Sequence, residues 1–574
     1  MYRIQTRYLV LSLSILMVFC GLTIAGLIQS NFGTVATTEI DIQTSEKVII
    51  HTTLQVPSGA SEANPMPGVV VIHGVIQSKE WLSSFGIELS RRGFVVLTID
   101  ARAHGNSGFG GSDAGGVAAL EYLDSLNYVS KLGIIGHSMG AGIAIQAISD
   151  SSVTVNSLVL VEGGTGGTWA NHTYPNNMLV TLGQYSHSFS SINHTALSET
   201  FGTTSQVVPG QLYGDFNSGT ARKLIIAPTD HLFSTVDLVI LSETVEWLKN
   251  SLKGTGIDSY WIPKENLVYP FHILGGFIAC LGILLSIIPI LKMIMELTFF
   301  KKLKQSPSSS YSASAQTYWG LGLLYGIISL ATFIPLLAIG AFIPFPQSTG
   351  APVGIWLLGS SLIAASILYV VYRYKRNKGE ELEWTDFGID ISDHKLFLNT
   401  FGMSALLALL VTLWLYCWTL PVDLLLALDF RAFLPLFNDL TPIRLLIAPI
   451  YLIFTIPLFF VDGMWLMGLL RTSPKETRIQ TQIYWTLKAV FIKCSPFFFI
   501  LLVQVVMSFI LGTALITGMI GFSLLFLWMF APMYVVTTVL STWCYRLTDR
   551  IYVGTALNAF IFSWILASIL PLVI

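Results

Sequence analysis

Inside KLGIIGHSMGAGIAI, Ser138 stands between Gly136 and Gly140 at the G-x-S-x-G spacing. That spacing suits a strand that turns sharply into a helix: glycines leave room for the turn, and the hydroxyl is raised clear of the sheet. The flanks agree, since KLGIIG is a continuous apolar run and GAGIAIQAI opens a helix with small residues. A helix N-terminus behind the serine favours negative charge developing on a substrate oxygen. A nucleophilic serine also needs a base. His231, in KLIIAPTDHLFSTVDLVILSETVEWL, follows an apolar strand and precedes an amphipathic helix.

With these residues the chain resembles the α/β-hydrolase family from about Val48 to Leu252. The resemblance implies that Ser138 is the nucleophile and His231 the catalytic base. In VVVIHG, His73-Gly74 ends a strand where that family builds half of its oxyanion hole, so the backbone N–H groups of Val75 and Met139 would be the two donors. TIDARAHGNSG is similar to the family's D-x-R-G-H-G-x-S turn and departs from it at Ala103, where glycine is usual. The acid is the weak match. Aligned through Gly183 in NMLVTLGQYSHSF, the usual aspartate position holds Ser186, which carries no charge. Some members take the acid from the end of the preceding strand, and Glu162 in NSLVLVEGG occupies that place. Asp215 in QLYGDFNSG is a looser alternative, and a triad without an acid is a third; Asp230 adjoins His231 and should point away from it. The short segment from Gly163 to Asn177 leaves little room for a lid, which predicts an open pocket.

These residues must be positioned by a sheet. From Asn31 to about Pro263, β-rich runs such as GVVVIHG, GFVVLTID, SLVLVE and ARKLIIAP alternate with amphipathic or small-residue stretches. Continuous apolar strands separated by helices predict a mostly parallel sheet with helices on both faces. Before this α/β domain, residues 1–30 read as a membrane anchor that is apolar from Tyr8 to Ile28; signal cleavage near Ala25 or Ser30 is the alternative. After it, residues 264–574 read as an all-α multi-pass membrane domain of about eight helices. The candidate spans are Phe271–Ile294, Tyr318–Phe342, Val353–Tyr372, Leu396–Trp418, Leu445–Leu470, Val490–Thr513, Phe522–Cys544 and Tyr552–Ile574. Lys301, Lys302, Lys304, Arg373, Lys375, Arg376, Lys378, Arg471, Lys475, Arg478, Arg546 and Arg550 fall in alternate connections, on the side of Arg3 and Arg7. Of the connections between them, IPFPQSTGAP and ITGMIG carry no Lys or Arg, and PVDLLLALDFRAFLPLFNDLTP carries only Arg431. The positive-inside rule then puts the N-terminus in the cytoplasm and the α/β domain outside.

Composition agrees with a bilayer partner: 53% of the 574 residues are hydrophobic and 11% charged. With 31 basic against 33 acidic residues and no basic stripe, a nucleic-acid partner is excluded. The five cysteines lie in or at the ends of apolar runs, no C-x-x-C or H-x-x-x-H occurs, and neither a metal site nor a cofactor is implied. The glycine-rich GGTGGTW and GFGGSDAGG fit no phosphate-binding pattern and read as mobile loops. In the membrane half, Asp462 is the notable ionisable residue, a functional or packing group, while Lys493 and Glu296 sit close enough to expected helix ends to snorkel. The chain reads as a membrane-embedded serine hydrolase acting on an ester, lipid or peptide acyl bond. Two other readings stay open: a catalytically degenerate domain that binds a ligand or partner and signals through the helices, or an accessory domain of a transporter.

Overall fold

A computed structural model of the protein describes residues 6–164, 169–189, 192–304, 311–428, 430 and 438–573. GGTGGTW and Arg431 fall wholly or partly outside the described residues.

Nine strands form one sheet: β1 (Val35–Gln43), β2 (Ile49–Pro57), β3 (Met66–Ile72), β4 (Val95–Ile99), β5 (Val129–His137), β6 (Val155–Val161), β7 (Met178–Gly183), β8 (Leu212–Tyr213) and β9 (Arg222–Ala227). Their order is β1-β2-β4-β3-β5-β6-β7-β9-β8. The six strands from β4 through β9 in that order run parallel, and the antiparallel pairings are confined to β1, β2 and β8 at the edges. Strands β3 and β4 are buried throughout because both faces are covered. Helices α2 (Ser83–Ser90) and α6 (Leu238–Leu248) pack one face around Phe85, Ile240 and Leu248; α3 (Gly116–Asp124), α4 (Met139–Asp150) and α5 (His194–Thr200) cover the other around Leu120, Ala144 and Leu197. Helix α1 (Thr6–Gln29) lies ahead of the sheet.

The remaining helices are α7 (Tyr269–Ile294), α8 (Ala315–Gly340), α9 (Gly350–Asn377), α10 (His394–Leu426), α11 (Pro442–Ile447), α12 (Leu452–Gly463), α13 (Arg478–Leu511), α14 (Gly518–Thr548) and α15 (Tyr552–Ile569). Among the described residues nine helical segments are long and apolar enough to cross a membrane, close to the nine apolar runs expected. The segment Pro442–Leu469 is built of α11, a 3-10 turn, α12 and a π-helical turn rather than one regular helix. Lys493 corrects the sequence reading. A capping box of Thr477 and Gln480 starts α13 well before the apolar run, so Lys493 lies mid-helix. It is buried, pairs with Asp462, and cannot snorkel; Asp462 also accepts from the Tyr325 hydroxyl. Glu296 meets Arg7 at the far end of α7.

The two halves share a core. Ile76, Trp81 and Leu232, from loops at the carboxyl end of the sheet, belong to the same buried apolar cluster as Leu407, Phe530 and Leu566 of the helices. Arg444 is fully buried between them: its guanidinium donates to the carbonyls of Gly105 and Ala103 on one side and of Ala567 and Leu570 on the other. Ala103, which stands where glycine is usual, has φ +68°, and its carbonyl also accepts from the Leu572 N–H at 2.9 Å. The turn keeps its left-handed form, at the modest cost of a Cβ in that region.

Candidate active site

The site stands at the carboxyl ends of the parallel strands, where an open α/β sheet gathers its functional groups. β5 ends at His137 and α4 begins at Met139, so Ser138 must make the whole turn. It does so at φ 53° and ψ −114°, a strained conformation for a non-glycine residue. The flanking glycines make this turn sterically feasible. A Cβ on Gly136 would meet the Gly140 carbonyl oxygen at 2.2 Å, and one on Gly140 would meet the Ile72 carbonyl oxygen at 2.3 Å.

His231 follows β9, and its Nε2 lies 2.9 Å from Ser138 Oγ. The other ring nitrogen faces two oxygens: Nδ1 is 3.3 Å from Glu162 Oε2 and 3.2 Å from Ser186 Oγ. Of the three sequence alternatives for the acid, the structure brings Glu162 to the histidine. Asp215 instead caps its own turn through Asn217 and Ser218. Asp230 turns away and accepts from the Leu232 and Phe233 N–H groups, while its burial raises its pKa. Glu162 reaches its place through a second strained backbone, with φ 58° at the end of β6. Its Oε1 accepts from the Gly183 N–H at 2.5 Å, and its Oε2 receives the Ser188 hydroxyl at 3.4 Å. Gly183 leaves the space for this: a Cβ there would meet Glu162 Oε1 at 2.8 Å. Ser186 contributes an uncharged oxygen to the same nitrogen.

Opposite the histidine, the loop after β3 is braced by Gln77. Its side-chain oxygen accepts from the Gly74 N–H at 2.8 Å and lies 2.9 Å from His137 Nδ1. His137 Nε2 lies 3.2 Å from the His231 carbonyl oxygen, so this buried ring ties the loop after β3 to the loop after β9. Val75 lines the same pocket as Ser138, and Met139 follows Ser138 directly in the chain. Met139 is the first residue of α4, whose opening N–H groups have no intrahelical acceptor. The brace was missed in the sequence because Gln77 has no fixed motif position; His137, inside G-H-S-M-G, was the available signal.

Two imidazoles flank that of His231: the His137 and His187 rings lie 5.3 and 4.5 Å from it. Burial and the neighbouring His231 charge hold His187 down to about 4, and the same two causes push His137 well below its ordinary value. Burial likewise holds His104 at about 3. Above pH 5 His187 therefore carries no positive charge beside His231.

The expected open pocket is not found. The space above Ser138 is a narrow pocket of about 20 Å³, bounded by Gly74, Val75, Gln77 and Trp81 below and by Phe522, Leu525 and Met529 of α14 above. A lid is supplied from the helical half, so the short segment after β6 was no guide to access. Among the described residues no cluster of side chains could hold a metal ion.

Residues 67–261 match the family model for the alpha/beta hydrolase fold. Among solved structures, an esterase of Pyrococcus furiosus aligns at 17% identity over 39% of this chain and 96% of its own, with a TM-score of 0.30. A CIB-like hydrolase of Thermoplasma acidophilum aligns at 16% over 38% and 99%, with a TM-score of 0.29. The thioesterase domain of the curacin biosynthetic pathway aligns at 13% over 37% and 99%, with a TM-score of 0.25. No curated protein matches the sequence. The chain carries an α/β hydrolase fold over residues 67–261, followed by a helical region with many long apolar helices.

Proposed function

We propose that the protein is a membrane-embedded serine hydrolase that cleaves an acyl bond on the extracytoplasmic side of a membrane. The observation that carries this reading is the continuous relay from Ser138 Oγ, after β5, through both nitrogens of His231, after β9, to Glu162, after β6. Ser138 Oγ attacks the acyl carbon while its proton passes to His231 Nε2, and the oxyanion that forms is held by the Val75 and Met139 N–H groups. Glu162 keeps the Nδ1–H oriented and balances the imidazolium. The tetrahedral intermediate then expels the leaving group, which takes the proton from Nε2. Water repeats the sequence on the acyl-enzyme, and the acid product and free Ser138 result.

The location reading rests on charge and packing together. The hydrolase fold docks on connections poor in Lys and Arg: the α13–α14 loop, where the Gln184 side chain donates to the Gly512 carbonyl, and the chain after α15, where Leu572 meets Ala103. The basic connections meet one another at the other end, through Arg471 with Tyr311, Arg550 with Asp390 and Arg7 with Glu296. With basic loops inside, the hydrolase faces out.

The test is labelling of the intact protein in lipid with a fluorophosphonate. Wild type is expected to label, Ser138→Ala and His231→Ala to lose labelling, and Glu162→Gln to label far more slowly. A wild type that stays unlabelled beside a reacting control hydrolase would leave the binding-module reading in its place.

A further inference from the structure

Next to the narrow pocket over Ser138 lies a larger cavity of about 380 Å³, and the two share His231 and Leu525. Its volume falls in the range that holds a small organic ligand. One wall comes from the loops after β7 and β9, with Tyr185, His187 and Phe233; the other comes from the facing ends of α13 and α14. The helical wall is chiefly apolar: Val505, Phe509, Ile516, Leu524, Leu525 and Trp528. Polar groups gather at the hydrolase side, where Asp230 and Thr229 lie beside His231.

The helical wall of this cavity adjoins an exposed apolar surface. Phe509, which lines it, is 73% exposed, and the neighbouring Ile510 and Met519 are 66% and 78% exposed. Exposed large apolar side chains on helices long enough to cross a bilayer belong in lipid. The cavity therefore extends from the apolar-faced ends of α13 and α14 to His231. From above, Phe522, Leu525 and Met529 close the approach to Ser138. A slender apolar chain fits such a route, and a folded peptide or bulky soluble ester does not.

Resting on the catalytic reading above, we infer that the substrate is an acyl ester of a bilayer-resident lipid, whose acyl chain enters sideways and lodges between the ends of α13 and α14. The ester carbonyl then reaches Ser138 beneath Leu525, with the polar remainder of the lipid toward the hydrolase loops. The α13–α14 hairpin does the work of an acyl-binding lid, and the helical region contributes specificity as well as anchorage.

The experiment measures hydrolysis of p-nitrophenyl palmitate and p-nitrophenyl butyrate by the full chain in lipid nanodiscs. Val505→Trp and Leu524→Trp fill the cavity from two helices, and Leu502→Trp adds the same bulk to an exposed position of α13 outside it. The ratio of palmitate to butyrate turnover is the readout, because any misfolded fraction cancels from it. The ratio is expected to fall at least about tenfold in both cavity variants, the scale on which hydrophobic pockets discriminate chains, and to stay at the wild-type value in Leu502→Trp. A wild-type ratio in both cavity variants overturns the assignment while leaving the hydrolase intact. A wild type that cleaves neither ester and takes no fluorophosphonate removes the catalytic reading and this inference with it.

Discussion

At the scale of single residues, the site divides charge and position between two side chains. Glu162 supplies the negative charge at 3.3 Å from His231 Nδ1, while Ser186 occupies the family's usual acid position with an uncharged hydroxyl at 3.2 Å. Removing the charge but keeping the shape should therefore be costly: Glu162→Gln is expected to lower kcat by about 10³–10⁴-fold. Adding Ser186→Asp to that variant restores a carboxylate on the same nitrogen, and part of the lost rate should return. Esterase kinetics of the single and double variants check this; a double variant no faster than Glu162→Gln would deny Nδ1 as the point where charge acts. Ser138 and His231 were legible from motif and order alone, because a strained strand-to-helix turn admits few sequences. Glu162 was legible only as one of three alternatives. What selects it is a left-handed backbone at its own position and a missing Cβ at Gly183, two features of different strands that only the sheet brings side by side.

Among the elements, the parallel strands were readable from their continuous apolar runs, and the long helices from theirs. The helix ends were not. An apolar window drops polar turns such as RIQTQIYW, so α13 was expected to begin at Val490 and Lys493 was placed near a terminus; the buried partner Asp462, on α12, was the missing information. The edge hairpin carries a different kind of dependence. His51 of β2 lies 3.1 Å from Glu39 and 2.8 Å from Asp41, both on β1. Burial would lower its pKa, but the hydrogen bond to Glu39 and the surrounding carboxylates carry it from 6.5 up to about 9. The raised value means the folded hairpin prefers the protonated ring, so its stabilisation is complete below pH 6.5 and is lost as pH rises through 9. The difference is on the order of 3 kcal/mol. Thermal unfolding of wild type and His51→Gln should differ most at pH 6 and converge near pH 10; a constant difference across that range would rule out the ion pair as its source.

For the whole molecule, hydropathy gave the division into a sheet domain and apolar helices, but nothing in it placed α14 above Ser138. That contact joins segments nearly four hundred residues apart and depends on how the α13–α14 loop meets the turn after β7: the Gly518 N–H donates to the His187 carbonyl, and a Cβ on Gly521 would strike His187. Such a fit has no local pattern. The same docking ties the catalytic reading to membrane orientation, since the hydrolase can face only the side on which the loops poor in Lys and Arg emerge. By the positive-inside rule that side is expected to be the exterior, an expectation that labelling can test. Ala63 is exposed in the loop before β3, and Ser473 is exposed between the π-helical turn and α13, in a basic connection. In intact cells a membrane-impermeant maleimide should label Ala63→Cys and leave Ser473→Cys unlabelled until the membrane is permeabilised. Were the pattern reversed, the hydrolase would face the cytoplasm, and a lipid substrate would have to come from the inner leaflet, because the cavity between the ends of α13 and α14 lies beside the loops after β7 and β9.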